Sequence, residues 1–435
     1  MSYPHPGLVA LLAGLALSPL AHATNGYQLI GVGAYQKSLA GAVTANPGSA
    51  MTAVANPAGI ARIGRRADFS MEAFMPEREV DFSRLGGASE DSSVELYGIP
   101  AIGWTAPVHD NSPVYFGGGM YGTSGMGVDY PATRIMAANP GIPSPDVDWD
   151  GYSGIAFWQM APALGWNVND RLTVGAAVLI DYQSVAFKQR MMADTNADGV
   201  GDTVMSNFDL SRSASAFGMG FSLGALYDIS PSVTVGAYYK SEQAFDPLEY
   251  NLSQGDITAF DANTGTSTPL PGGRYELDLD YPQQLSLGVA VRPTDALTVS
   301  FDLRWIEWSA TMGKLAVKGP AGDIPMDPGW DDQTVYALGV AWAATDRLNL
   351  RAGYNFAEAP FDEDEVSRNL ILPAIVEEHY TVGADYRFNG HWDLGFHYML
   401  VPEKRMRAPS NDPMLPGAAI SLAERSFGMN IGYRF

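Results

Sequence analysis

The end of the chain alternates between large apolar residues and small or polar ones. From Phe427 to Phe435, every odd-numbered residue is Phe, Met, Ile or Tyr, and every even-numbered residue is Gly, Asn or Arg. Side chains of a β-strand alternate between two faces, so this period of two predicts a strand with one apolar and one small or polar face. A strand between membrane lipid and a wet interior has these two faces. A strand of a soluble protein on a core is the alternative.

The same alternation recurs upstream, and the connections between strands alternate in length. Alternating segments lie at residues 172–183, 297–305, 348–356 and 380–388. Short polar turns at 109–112, 167–170, 228–232, 292–295, 344–347 and 389–390 are separated by long segments at 129–152, 191–206, 251–273, 314–331, 358–375 and 403–419. Bacterial barrels have short periplasmic turns and long extracellular loops. We therefore predict an all-β fold, a transmembrane antiparallel β-barrel of about fourteen strands over residues 67–435.

The residues before position 67 show no such alternation. Residues 24–66 are rich in Ala and Gly and contain prolines, which remove hydrogen bonds from a sheet ladder. This composition predicts a hatch, a plug that lies inside the barrel, with a disordered leader as the alternative. Residues 1–23 read as a signal peptide, since an apolar run from Leu8 to Leu17 precedes Ala21-His22-Ala23. No other stretch reaches about 18 uninterrupted apolar residues, so we expect export to the outer membrane of a Gram-negative bacterium.

Composition excludes several classes of protein. The chain is 46% hydrophobic, yet its mean hydropathy of -0.05 is too polar for a bundle of transmembrane helices. A net charge of -22 without a basic tract argues against nucleic-acid binding. No nucleophile elbow, metal-ligand spacing or phosphate loop is present, so we do not expect an enzyme. A water-filled general porin and an outer-membrane lipase or protease are the alternatives from other functional classes.

Several motifs in order along the chain resemble one family. These are Asn56-Pro57-Ala58, Pro282 to Gly288, Trp308-Ser309, Leu350 to Tyr354, Ala359-Pro360 and Leu372-Pro373. Together they resemble the FadL/TodX-like outer-membrane transporters of long-chain fatty acids and hydrocarbons. The resemblance implies a fourteen-stranded barrel with an N-terminal hatch that takes up long hydrophobic molecules passively. It also implies that the ligand leaves sideways into the membrane, where the third strand kinks.

The resemblance assigns residues to the kink and its surroundings. The third strand is rich in glycine, which weakens a ladder and permits a bend. The kink and lateral gate fall on Ser124, Gly125, Met126 and Gly127. The hatch motif expected beside them is Asn56, Pro57 and Ala58.

The ligand site follows the family less closely. Lys188 or Arg190 falls at a position late in the fifth strand where fatty-acid-binding members have a basic residue. The second basic position, before the tenth strand, holds Pro325-Met326-Asp327 instead. An alkane or aromatic hydrocarbon therefore stays an alternative to a fatty acid, because such a ligand needs apolar area and no charge.

One loop resembles the start of a calcium site. Asp194, Asn196, Asp198 and Asp202 follow the D-x-N-x-D-G pattern, but Met205 stands where an EF-hand has glutamate. We predict either a weak Ca²⁺ site or a plain polar loop, and no other cofactor. The expected partners are the hydrophobic ligand, outer-membrane lipid and lipopolysaccharide, and the barrel assembly machinery, which would recognise Phe435. We expect a monomer.

Overall fold

A computed structural model describes residues 25–135, 146–261 and 264–435. The proposed signal peptide lies outside this part of the chain. Fourteen antiparallel strands form the barrel. They are β1 Arg66–Asp81, β2 Tyr97–Pro107, β3 Val114–Ile135, β4 in two segments (Val147–Met160 and Ala163–Asn167), β5 Leu172–Ala193, β6 Thr203–Ser230, β7 Val233–Lys240, β8 Gln284–Thr294, β9 Leu297–Ile306, β10 Gln333–Ala343, β11 Leu348–Phe356, β12 Glu378–Arg387, β13 Trp392–Arg407 and β14 Ala419–Arg434.

The sheet closes on itself because its last strand pairs with its first. Arg66 lies opposite Arg434 and Asp81 lies opposite Ala419, so β1 and β14 pair along their whole length. Phe427, Met429 and Ile431 are 47%, 40% and 42% exposed, as expected for side chains that face lipid. The alternate residues of the same strand are buried on the inner face. The predicted all-β barrel is confirmed.

The elements outside the barrel lie mainly in the long connections. A four-stranded sheet consists of Leu248–Leu252, Gly273–Leu277, Leu315–Gly319 and Gly322–Met326. Further short elements are the strands Ser89–Asp91, Ala244–Phe245, Ile257–Asp261 and Thr266–Pro269, the helix α2 (Trp308–Met312) and the 3-10 helices Ser83–Leu85 and Glu363–Arg368. Among the described residues, no helix is long and apolar enough to cross a membrane.

Residues 25–65, which we call the hatch, lie inside the barrel. They include the helix α1 (Gly33–Ser38) and the 3-10 helices Ala50–Val54 and Pro57–Ala61. The hatch hydrogen bonds to strands on all sides. Thr105 of β2 donates to the Ile60 carbonyl (2.8 Å), Tyr238 of β7 to that of Val54 (3.0 Å), and Asn355 of β11 to that of Ala40 (3.1 Å).

Small inward-facing residues make room for the hatch. A Cβ atom on Gly353 would lie 2.5 Å from the carbonyl carbon of Leu39, and one on Gly236 would lie 2.4 Å from the carbonyl oxygen of Thr44. Both distances are too short for a real side chain, so these positions require glycine. Inward polar groups fix the hatch in place. Asp302 of β9 accepts from the backbone N–H groups of Val43 (2.9 Å) and Thr44 (2.8 Å).

Candidate functional site

The barrel wall has an opening between β2 and β3. These strands pair from Pro107 opposite Tyr115 only as far as Ala101 opposite Tyr121. Beyond that point, β2 continues to pair with β1, while β3 continues to pair with β4 after a register shift between Gly122 and Ser124. The neighbouring residues 97–100 of β2 and 122–126 of β3 therefore do not hydrogen bond to each other. We call this opening the window.

The free edge of β3 at the window pairs with the start of the hatch. Leu29 donates its N–H to the Thr123 carbonyl (3.0 Å), and Gly125 donates to the Tyr27 carbonyl (3.1 Å). These bonds replace the ladder that β2 would otherwise provide. The backbone groups of the kinked strand are therefore hydrogen-bonded although the wall stays open. The predicted kink residues Ser124, Gly125 and Met126 all line the window, and Gly127 forms its rim.

The predicted hatch motif lies elsewhere. The Asn56 amide donates to the carbonyls of Thr44 (2.8 Å) and Ala225 of β6 (3.3 Å). Pro57 and Ala58 pack against Gly175 of β5, where a Cβ atom would lie 2.4 Å from the Ala58 nitrogen. The hatch neighbour of the kink is thus the segment 27–29, and the expectation that Asn56, Pro57 and Ala58 lie beside it is wrong. Alternation along β3 cannot show which part of an irregular segment docks on it.

An apolar cavity of about 150 Å³ occupies the window. Leu29 of the hatch forms its inner side, and Ala156 and Trp158, on the outward face of β4, lie at its outer side. Further lining residues are Phe74, Ile99, Ser124, Gly125, Met126 and Phe157. Arg78 is the one charged residue that lines this cavity within the described part of the chain. The cavity therefore connects the hatch with the lipid-facing surface through mainly hydrocarbon walls.

Above the hatch, aromatic rings fill the lumen next to the window. Tyr27 contacts Trp308 (ring centroids 4.6 Å apart) and Trp330 (5.9 Å). Tyr281 contacts Phe157, which lines the window, at 4.5 Å. We call Tyr27, Phe157, Tyr281, Trp308 and Trp330 the aromatic cluster. The sequence did not reveal it, because its members come from the hatch, a strand and two separate connections.

A polar group adjoins the aromatic cluster. The Tyr281 hydroxyl donates to Gln28 of the hatch (2.8 Å) and lies 2.7 Å from the Ser124 hydroxyl. The Lys240 ammonium lies 4.4 Å from the centroid of the Tyr281 ring. Lys240 is 4% exposed and forms no ion pair or hydrogen bond within the described residues. A small cavity of about 30 Å³ separates Lys240 and Arg304 from hatch residues 28–32. The lumen thus holds two cations close to the window.

Lys188 and Arg190 do not face the lumen. They lie opposite Tyr152 and Asp150 of β4, and opposed residues share a face of the sheet. The adjacent residue Ser153, on the other face of β4, points inward, since its hydroxyl donates to the Ile371 carbonyl (2.6 Å). Both cations pair with Asp150, at 2.6 Å from Lys188 and 2.7 Å from Arg190. The prediction that they bind the ligand inside the barrel is wrong. Inward-facing residues alternate along β5 from Thr173 to Phe187 without a break, so Lys188 and Arg190 fall on the outward face.

The guanidinium group of Arg134 holds the calcium-like loop in place. Arg134 pairs with Asp194 (2.9 Å), which also accepts from the Gly199 N–H (2.9 Å), and this guanidinium holds the pKa of the Asp194 carboxyl below its usual range. Asn196 accepts from the Asp198 N–H (2.9 Å), and Asp202 from the Thr195 hydroxyl (2.7 Å). No group of three or more acidic or histidine side chains converges on a metal position in the described residues. The geometry gives a calcium site no support.

The fold and the window define a class: a plugged β-barrel of the outer membrane with an apolar opening in its wall. Residues 15–435 match the family described as outer membrane protein transport protein (OMPP1/FadL/TodX). The chain belongs to this family, as its motifs indicated. Members of the family are transport channels of the outer membrane and not enzymes.

Individual relatives are distant. Outer membrane protein P1 of Haemophilus influenzae is 22% identical over 364 residues, 78% of this chain and 74% of that protein. Two other curated matches, another outer membrane protein P1 of H. influenzae and the 47 kDa outer membrane protein of Pasteurella multocida, are covered over only 38% and 51% of their length. The P. putida toluene transporter TodX has a TM-score of 0.73 at 20% identity, with 93% of this chain and 99% of TodX covered. A Pseudomonas aeruginosa FadL homologue has a TM-score of 0.68 at 17% identity, with 94% and 100% covered. At these identities the solved structures establish the fold alone.

Proposed function

We propose that the protein takes up long hydrophobic molecules passively and releases them sideways through the window into the outer membrane. The observation that carries this proposal is the break in pairing between β2 and β3 beyond Ala101 and Tyr121. A closed barrel normally satisfies every backbone group through its neighbouring strands, so such a break is costly unless something else supplies the hydrogen bonds. Here the hatch supplies them at Thr123 and Gly125.

The described cavities suggest a route. A groove of about 430 Å³ on the side of the long connections is lined by the apolar residues Phe208, Met326, Ile371, Leu372 and Met414 and by the charged residues Asp327 and Arg368. A hydrophobic molecule would bind there first. It would then displace rings of the aromatic cluster and pass Leu29 to reach the window. Burial of each CH₂ group contributes about 0.8 kcal/mol, so apolar contact is sufficient to hold a long chain.

Blocking the window tests lateral release. A Cβ atom on Gly125 would meet only the Ile155 carbonyl oxygen, at 3.1 Å, so a larger side chain can start there with little displacement. We expect Gly125→Arg to abolish uptake of a labelled long-chain acid while the barrel still assembles. Gly390→Arg is the matched control, because nothing lies within 4 Å of a Cβ on Gly390, in an exposed turn. Uptake by correctly inserted Gly125→Arg at the rate of the control would refute lateral release.

For the substrate we infer a hydrophobic molecule with an acidic head group, such as a long-chain fatty acid. The supporting observation is Lys240, a buried ammonium beside the hatch that forms no ion pair or hydrogen bond within the described residues, with the Asp181 carboxylate acting on it only from a longer distance. An unpaired charge in a dry interior is costly, and a bound carboxylate would offset that cost. Leu29 lines both the small cavity at Lys240 and the window. A head group at Lys240 would therefore leave its chain directed toward the exit.

Competition between a long-chain acid and its methyl ester tests this head-group site. A hydrogen bond to a charged group contributes about 1.5–3 kcal/mol, so the acid should bind roughly tenfold or more tightly than the ester. Lys240→Met should remove that preference. Lys318→Met is the control, since Lys318 is exposed on the four-stranded sheet outside the barrel and pairs with Asp278 at 2.6 Å. Equal binding of acid and ester by the parent protein would contradict the proposal.

The second candidate is uptake of neutral aromatic hydrocarbons. The aromatic cluster favours it, because flat rings pack well against other rings. TodX is named as a toluene transporter. In that case the ester and the acid bind alike, Lys240→Met has no effect, and toluene competes with both.

The outer surface suggests further partners. We propose that the exposed C-terminal Phe435 is recognised by the barrel assembly machinery. We also propose that the outward-facing charges at Lys188 and Arg190 meet the head groups of lipopolysaccharide.

A further inference from the structure

One charged side chain, Arg78 of β1, lies at the upper rim of the window, meaning the rim nearer to the long connections. β1 pairs with β2 as far as Phe74 opposite Tyr97, and from Glu79 onward it pairs with the short strand Ser89–Asp91. Arg78 lies between these two ladders. Its side chain is directed into the barrel wall, and the residue is only 5% exposed.

The guanidinium of Arg78 connects three segments. It donates to the carbonyl oxygens of Gly127 on β3 and of Val94 in the connection before β2. The Tyr97 hydroxyl donates to the same Gly127 carbonyl at 3.2 Å, and the guanidinium carbon lies 5.6 Å from the centroid of the Tyr97 ring. In an uninterrupted barrel, N–H groups of a neighbouring strand would occupy these carbonyls. Here an arginine side chain supplies the donors across a distance that a paired backbone could not span.

We propose that Arg78 is a positioning residue that holds the rim of β3 at Gly127 away from β2 and so keeps the window open. Without Arg78, the Gly127 carbonyl keeps only the neutral Tyr97 hydroxyl as a side-chain donor, and the Val94 carbonyl loses its guanidinium donor. With the guanidinium gone from between the strands, β3 can move toward β2, to the roughly 4.8 Å spacing of paired strands. The window then narrows from its upper end, while the lumen and the Lys240 site are unchanged.

This inference rests on lateral release, but it can be tested without transport. The chain contains no cysteine. Gly98 and Gly125 lie on opposite sides of the window, and both have space for a side chain. Spin labels on Gly98→Cys and Gly125→Cys would therefore report the width of the window by pulsed electron resonance. The comparison adds Arg78→Met, Arg78→Lys or Arg425→Met to this pair. Arg425 of β14 is the matched control, since it pairs with Glu77 of β1 at 2.8 Å but faces outward.

We expect Arg78→Met to shorten the distance between the labels. In the chain without labels, it should lower uptake of a labelled long-chain acid about tenfold, the effect of losing one charge-assisted hydrogen bond. Binding of the acid to the purified protein should stay at the parent value. Arg78→Lys should recover part of both distance and uptake, because an ammonium can still donate to the two carbonyls. Arg425→Met should match the parent in all three measurements.

Three results would overturn the inference: an unchanged label distance in Arg78→Met, an equal effect of Arg425→Met, or no recovery with lysine. If Arg78→Met does not assemble, Arg78→Gln keeps one amide donor, and the same distance measurement decides. Failure of lateral release gives a different result. In that case Gly125→Arg leaves uptake unchanged, whereas the label distance still responds to Arg78.

Discussion

Replacement of Lys37 by methionine should release the hatch from the barrel. Lys37 lies on α1, and its ammonium is 3.0 Å from a carboxylate oxygen of Glu72 on β1. The two side chains are 1% and 4% exposed. The His397 imidazole is 3.9 Å from the same oxygen. Methionine has nearly the volume of lysine, so the substitution removes the charge and leaves the packing.

The magnitude follows from burial of the pair. Breaking a buried ion pair by removal of one partner costs about 3–5 kcal/mol, because the other charge stays desolvated and unpaired. The barrel ladder does not depend on this contact, so the cost falls on docking of the hatch. The undocked population should therefore rise by about two to three orders of magnitude. Replacing both partners by apolar residues, as in Lys37→Met with Glu72→Met, should restore most of the docking.

A buried cysteine can report undocking. Thr44 of the hatch is fully buried, and its hydroxyl has no hydrogen-bond partner within the described residues, so Thr44→Cys should be tolerated. The rate at which a thiol reagent labels this cysteine measures the open fraction. Current steps in planar bilayers measure the same opening independently. Labelling of Lys37→Met at the parent rate, or equally fast labelling of the single and double variants, would refute the reasoning.

Two further predictions concern the barrel itself. Deletion of residues 25–65 should leave a barrel that still assembles, because water can hydrate the inward-facing charges that the hatch covers. This barrel should conduct ions and no longer select its ligand. Failure of the shortened chain to fold in detergent would show that the hatch is structural. Deletion of Phe435 should lower the amount of assembled barrel in cells and leave refolding of the purified chain unchanged. Heat-modifiable mobility in gels measures the folded fraction in both cases. An unchanged amount of assembled barrel in cells would contradict recognition of this residue by the assembly machinery.

The sequence determined the architecture because a barrel strand carries its own signal. Lipid on one face and a wet or packed lumen on the other impose a period of two, and Phe427 to Phe435 shows it without reference to any other strand. The glycines of β3 likewise marked a weak ladder before any contact was known. The Ala- and Gly-rich composition of the hatch indicated close packing against a wall.

Only the tertiary structure decided which residues meet. A shift of one residue sends a strand side chain to the opposite face, and the pairing of β5 with β4 places Lys188 and Arg190 outside and not in the lumen. The hatch has no period to align with the barrel, so its contact at the window, segment 27–29, was not predictable from its motif. Lys240 and Tyr281 are far apart in sequence but in contact, and Arg78 likewise reaches the distant Gly127, only because the sheet closes. Their roles depend on that closure, which no local pattern encodes.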